Sequence, residues 1–205
     1  MSMLARRKVL AMAGGAIMLA ALTRLGRAAA GDPKQVVQNF YDALLASMKA
    51  PDFAARFAIL SPVIQASFDI TVMTKITIGP AWTDLPADKK NRAIATFGKY
   101  IITSYASRFR DYSGQQFIID RETVNPDRAL VYSRMTRPKE EDIQFNYVLH
   151  ANSEGWRIVD IYLGGSISEM ARLRSEFSDV LAHQGIDALD AQIGTKTEEL
   201  MKPAK

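Results

Sequence analysis

His150 and His183 are the only histidines in this 205-residue chain, and the surrounding pattern places them on different elements. There is no His-x-x-x-His pair and no cluster of histidine with carboxylates, so a metal site lacks its usual ligands. Cysteine is absent, which removes thiol nucleophiles, disulfide frameworks and zinc or iron–sulfur sites. No Gly-x-Ser-x-Gly elbow occurs, and no glycine-rich loop that would cradle a phosphate. Gly164-Gly165 reads as a strand-to-helix corner. Asp69 and Asp160 stand among apolar residues. A buried acid can serve as a base in an isomerase-type pocket, but capping a helix is the commoner use of such a carboxylate. The chain offers no catalytic constellation, and the expectation is a non-enzyme without cofactor or metal.

The elements that would position these groups follow from hydrophobic spacing. Asp32 and Pro33 form a cap and first turn, and Val37, Phe40, Tyr41 and Leu44 recur at helical spacing, predicting a helix over about 33–49. Asp52 opens a second helix. Ser61-Pro62 reads as the start of a short third one running to about Phe68. Asp69 to Ile78 is apolar and stops at Gly79-Pro80, with Trp82 in a loop. The longest helix is predicted over about 86–111, with a stripe of Ile94, Phe97, Ile101, Tyr105 and Phe109. The period then changes to two. Strands are predicted near 115–123, 129–137, 142–151 and 155–163, joined by short turns and therefore antiparallel. Helices over about 167–184 and 186–201, parted at Gly185, close the chain. The fold class is α+β: N-terminal helices, a four-stranded antiparallel meander and C-terminal helices.

Charge separates the first thirty residues from the rest. Five of the 26 basic residues lie there (Arg6, Arg7, Lys8, Arg24, Arg27) with no acid, leaving 21 basic against 22 acidic residues elsewhere. A near-neutral body gives phosphate backbones no field to bind, so nucleic acid is not an expected partner. The basic start, the apolar run Val9 to Leu22 and Ala28-Ala29-Ala30 predict a signal peptide over 1–30, cleaved before Gly31. That run falls short of the roughly 20 residues that span a bilayer. Arg6-Arg7 leaves the general secretory and twin-arginine routes both open. Residues 31–205 are then expected to be one domain, a monomer, exported from the cytoplasm.

The chain is rich in large apolar residues, among them Phe68, Met73, Trp82, Phe97, Ile101, Tyr105, Phe145, Tyr147 and Ile161. Composition does not decide their place, and filling an ordinary core is the expected one. The alternative is that sheet and helices stand apart around a cavity for an apolar ligand.

Phe68-Asp69-Ile70, Gly79-Pro80-Ala81-Trp82, Gly155-Trp156-Arg157-Ile158-Val159-Asp160-Ile161-Tyr162 and the Gly165-Ser166-Ile167-Ser168 corner occur in an order that resembles the MlaC family of periplasmic lipid-binding proteins. Tyr105-Ala106-Ser107-Arg108-Phe109 and the stretch Ser166 to Phe177 are similar to its hopanoid-associated HpnM subgroup. The resemblance implies a helix-and-sheet fold enclosing an apolar cavity. It implies a periplasmic carrier that shuttles a lipid, a hopanoid first and a phospholipid next, between an RND-type or ABC-type inner-membrane transporter and the outer membrane. The nine apolar residues named above would then line the lipid site. An isomerase-like enzyme and an adaptor that only docks to a transporter are the competing readings.

Overall fold

The computed structural model describes residues 31–202; the expected signal peptide lies outside the described residues. Helix α1 (Pro33–Met48) starts where the carboxylate of Asp32 accepts from the backbone N–H of Lys34 at 2.9 Å. It buries Val37, Phe40, Tyr41 and Leu44 on one face. Helix α2 (Phe53–Ser67) is capped in the same way by Asp52.

Here one expectation fails. Ser61-Pro62 does not open a third helix, because α2 runs straight through it. Pro62 frees the carbonyl of Ala58, but both residues face water, which satisfies that carbonyl. Leu60 and Ile64 meanwhile continue the same buried face. After α2 the chain is extended at Phe68, and the Asp69 N–H donates to the Ile158 carbonyl at 2.9 Å. Helix α3 (Ile70–Ile78) begins there, with Asp69 accepting from Val72 N–H. Gly79, at φ 72°, turns the chain out of α3 into a 3-10 turn (Gly79–Trp82) that holds Trp82. Helix α4 (Ala87–Arg108) stops three residues short of its expected end.

The sheet is β1 (Gln116–Val124), β2 (Arg128–Arg137), β3 (Glu140–Asn152), β4 (Gly155–Leu163) and β5 (Ile167–Ser168), in that spatial order and antiparallel throughout. The meander is as expected but has five strands. The two residues of β5 are too short to carry an alternation, and they return against Tyr162 and Leu163 through Gly164-Gly165, both at positive φ. Helix α5 (Glu169–Met201) starts after β5, with Ser168 as its cap. It is broken at Gly185, where the sequence separates two helices.

The helices pack on one face of the sheet, with α4 and α5 against each other. Val131, Ser133, Tyr147, Leu149, Ile158 and Ile161 face them. The last two have the wrong parity for a regular strand. The register slips between Val148 and Leu149, so Val159 is an extra residue that switches the alternation. That bulge puts both isoleucines on the helix side.

Candidate functional site

Three segments diverge at one end of the molecule: the last two turns of α4, the ends of β2–β4 nearest β5, and the first turn of α5. Between them is a pocket of about 360 Å³, within the size range of small-molecule sites. Helical spacing puts Ile101, Ser104, Tyr105 and Arg108 on the face of α4 that looks into it. Register supplies the opposite wall, where Met135 lies beside Ile143 and Phe145 beside Leu163. Met73 of α3 and Met170 and Leu173 of α5 complete it. Methionines and branched aliphatic residues give an adaptable, apolar lining.

Of the nine residues singled out in the sequence, the structure brings Met73, Ile101, Tyr105, Phe145 and Ile161 together around this pocket. The other four lie elsewhere. Phe97 is one turn before Ile101 and is buried beside Tyr100, past the end of the pocket. Tyr147 is two residues beyond Phe145, where α1 covers the sheet, and packs edge-on to Tyr41 with ring centroids 5.6 Å apart. Phe68 sits behind Tyr105, in an edge contact with Phe40 at 5.0 Å. Trp82 is half-buried in its 3-10 turn with the Lys90 ammonium 5.7 Å from its ring.

Several pocket residues escaped the sequence reading. Phe109 extends the α4 stripe by one step and Ile143 shares a strand face with Phe145, so both carried a signal. Ser104, Arg108 and Glu169 are polar, and apolar periodicity is blind to them.

Behind the pocket the tyrosines form a neutral cluster. The Tyr41 hydroxyl donates to Ser133 Oγ at 2.5 Å, and Ser133 in turn donates to the Phe145 carbonyl. Burial pushes the Tyr41 phenol up to about 12. Burial also raises Tyr105 and Tyr147. Each remains a neutral phenol at ordinary pH, and none is a ready base.

The two acids noted in the sequence serve structure. Asp69 caps α3 and accepts from His150 Nε2 at 2.8 Å. Asp160 accepts from Ser168 Oγ at 2.6 Å and from Met170 N–H at 3.1 Å, which ties β4 to the start of α5. Neither lines the pocket.

At the pocket mouth the charges are dense. Arg172 forks onto Glu169 at 2.9 and 2.6 Å and reaches Glu176 at 2.8 Å. Lys196 also meets Glu176, at 2.5 Å. Burial works to raise the Glu176 carboxyl, but the Lys196 and Arg172 hydrogen bonds hold it below its ordinary value. Among the described residues no group of three His, Asp or Glu could hold a metal ion, and no helix is long and apolar enough to cross a membrane.

No curated protein matches the chain. A solved structure, the phospholipid-binding protein from Ralstonia solanacearum in complex with a phospholipid, superposes with a TM-score of 0.74 at 19% identity. The match covers 84% of this chain and 100% of that one, and shows that the two share a fold. The MlaC protein family matches residues 34–194, which include every residue that lines the pocket. The chain belongs to the MlaC family.

Proposed function

We propose that this protein is a periplasmic carrier that holds the apolar part of a lipid in the pocket between α4, α5 and the sheet. The observation that carries the reading is the pocket itself, a space of about 360 Å³ walled by aliphatic, methionine and aromatic side chains in a chain of the MlaC family. The phospholipid bound by the Ralstonia protein of the same fold supports a lipid as its occupant. The physics agrees with a carrier that does no chemistry. Each Å² of apolar lipid surface taken out of water is worth about 25 cal/mol, so a lipid crossing an aqueous space needs a cover.

On this reading Met73, Ile101, Tyr105, Phe145 and Ile161 contact the lipid. Residues 1–30 direct export and are removed. The carrier collects or delivers its cargo at an inner-membrane transporter of RND or ABC type and works as a monomer. A phospholipid is the ligand favoured by the comparison, while the resemblance to the HpnM subgroup favours a hopanoid.

The test is lipid uptake by the mature protein from vesicles of phosphatidylglycerol and phosphatidylethanolamine, with Ile101→Asp beside it. A carboxylate in the apolar wall is expected to abolish uptake while circular dichroism stays native. A folded Ile101→Asp protein that takes up lipid as well as the parent does would refute the assignment of this pocket.

A further inference from the structure

The wall of the pocket contains two polar side chains from one face of α4, Ser104 and Arg108. Four residues apart on a helix, they stand one above the other, separated by about 6 Å along the axis. Arg108 is at the mouth and Ser104 a turn deeper.

Ser104 is 7% exposed, and its hydroxyl has no hydrogen-bond partner. The usual remedy within a helix is a bond back to the carbonyl four residues earlier. Thr74, Thr77 and Thr197 make that bond, and Ser104 does not. The neighbouring Thr103 hydroxyl is bare as well, but it is no part of the pocket wall. A buried hydroxyl left without a partner is destabilising. One that borders an apolar pocket can be satisfied by whatever fills the pocket.

Arg108 is 53% exposed, and its nearest acid is Glu169, at 4.0 Å, outside hydrogen-bond length. Glu169 is already held by both arms of Arg172, and Glu176 by Arg172 and Lys196. Glu199 shares the rim. Among the described residues no acceptor takes a hydrogen bond from the Arg108 guanidinium, although Arg108 reaches the edge of the pocket.

We infer that Ser104 and Arg108 are a two-point reader for a glycerophospholipid: Arg108 binds the phosphate and Ser104 donates to an acyl ester carbonyl one helical turn deeper. The inference rests on the carrier reading and sharpens it. A guanidinium fork matches phosphate oxygens in geometry and charge. The ester carbonyl of a glycerophospholipid lies a few bonds below its phosphate, on the apolar side, which suits the step from Arg108 to Ser104. A pentacyclic triterpenoid has neither group.

The experiment measures binding of three probes to the purified mature protein: dipalmitoyl phosphatidylglycerol, its dialkyl ether analogue, and dipalmitoylglycerol, which lacks the phosphate. Arg108→Gln is expected to weaken phosphatidylglycerol about tenfold and leave dipalmitoylglycerol unchanged, and Arg108→Lys to recover part of the loss. The unchanged protein is expected to prefer the ester lipid to the ether by roughly threefold, with the preference gone in Ser104→Ala. Equal binding of ester and ether by the unchanged protein overturns the role of Ser104 without any variant. An Arg108→Gln protein that weakens both glycerides alike, or neither, overturns the role of Arg108. Failure of the unchanged protein to bind any of the three overturns this inference; uptake of a pentacyclic triterpenoid by the same protein would then preserve the carrier reading, and uptake of neither kind of lipid would bring that reading down as well.

Discussion

Tyr41 brings a hydroxyl into a core of Phe40, Tyr147 and Phe117, and Ser133 accepts from it at 2.5 Å. Its folded pKa of about 12 lies above the unfolded value near 10. The neutral phenol therefore contributes stability that is fully present below pH 10 and is lost as pH rises toward 12. Tyr41→Phe should lower stability at pH 7 by about 1 kcal/mol through loss of one hydrogen bond. Urea unfolding at pH 8 and at pH 11 should show the gap between the two proteins narrowing; a gap that stays constant would contradict a buried, neutral Tyr41. At this scale the sequence was informative where a residue's type decides its place. Asp32 and Asp52 cap helices as their neighbours suggested. It was silent where place depends on distant partners. Nothing around Tyr147 announces that α1 covers it, and nothing around Ser104 announces an unpartnered hydroxyl.

The elements repeat that division. Amphipathic stripes located α1 and α4, and turn residues located the strand connections. What failed had a local physical cause. Pro62 looked like a boundary, but a proline is tolerated inside a helix when the carbonyl it frees faces water. The bulge at Val159 has no periodic signature, yet it decides that Ile158 and Ile161 both point at the helices. That single extra residue delivers Ile161 to the pocket. Gly185 is the clearest case of sequence and structure agreeing. Its φ of 80° and ψ of −176° lie in a region that only glycine enters readily, and no atom lies within 4 Å of where a Cβ would be. Gly185→Ala should therefore destabilise by backbone strain alone, by about 1–3 kcal/mol, which for a chain of this size lowers Tm by roughly 2–4 °C per kcal/mol. A thermal melt unchanged from the parent would show that the break in α5 is free to relax into continuous helix.

For the whole molecule, what matters is that the layers do not close at one end. Over α1 and α2 the sheet and helices meet in a filled aromatic core. At the far end the start of α5 and the C-terminal turns of α4 leave about 360 Å³ between themselves and the strands. Apolar abundance in the sequence suited a filled core and an open pocket equally well. The fold contains both, and which residues fall on which side depends on register and on α1. On this reading the open end carries a lipid. The most direct test is gentle native mass spectrometry of the protein purified from its own periplasm, followed by extraction and identification of whatever leaves with it. A one-to-one complex with a glycerophospholipid is the expected result. A bound pentacyclic triterpenoid would preserve the carrier and contradict the Ser104–Arg108 reader. A protein that emerges empty, and stays empty when offered either lipid, would contradict the carrier itself.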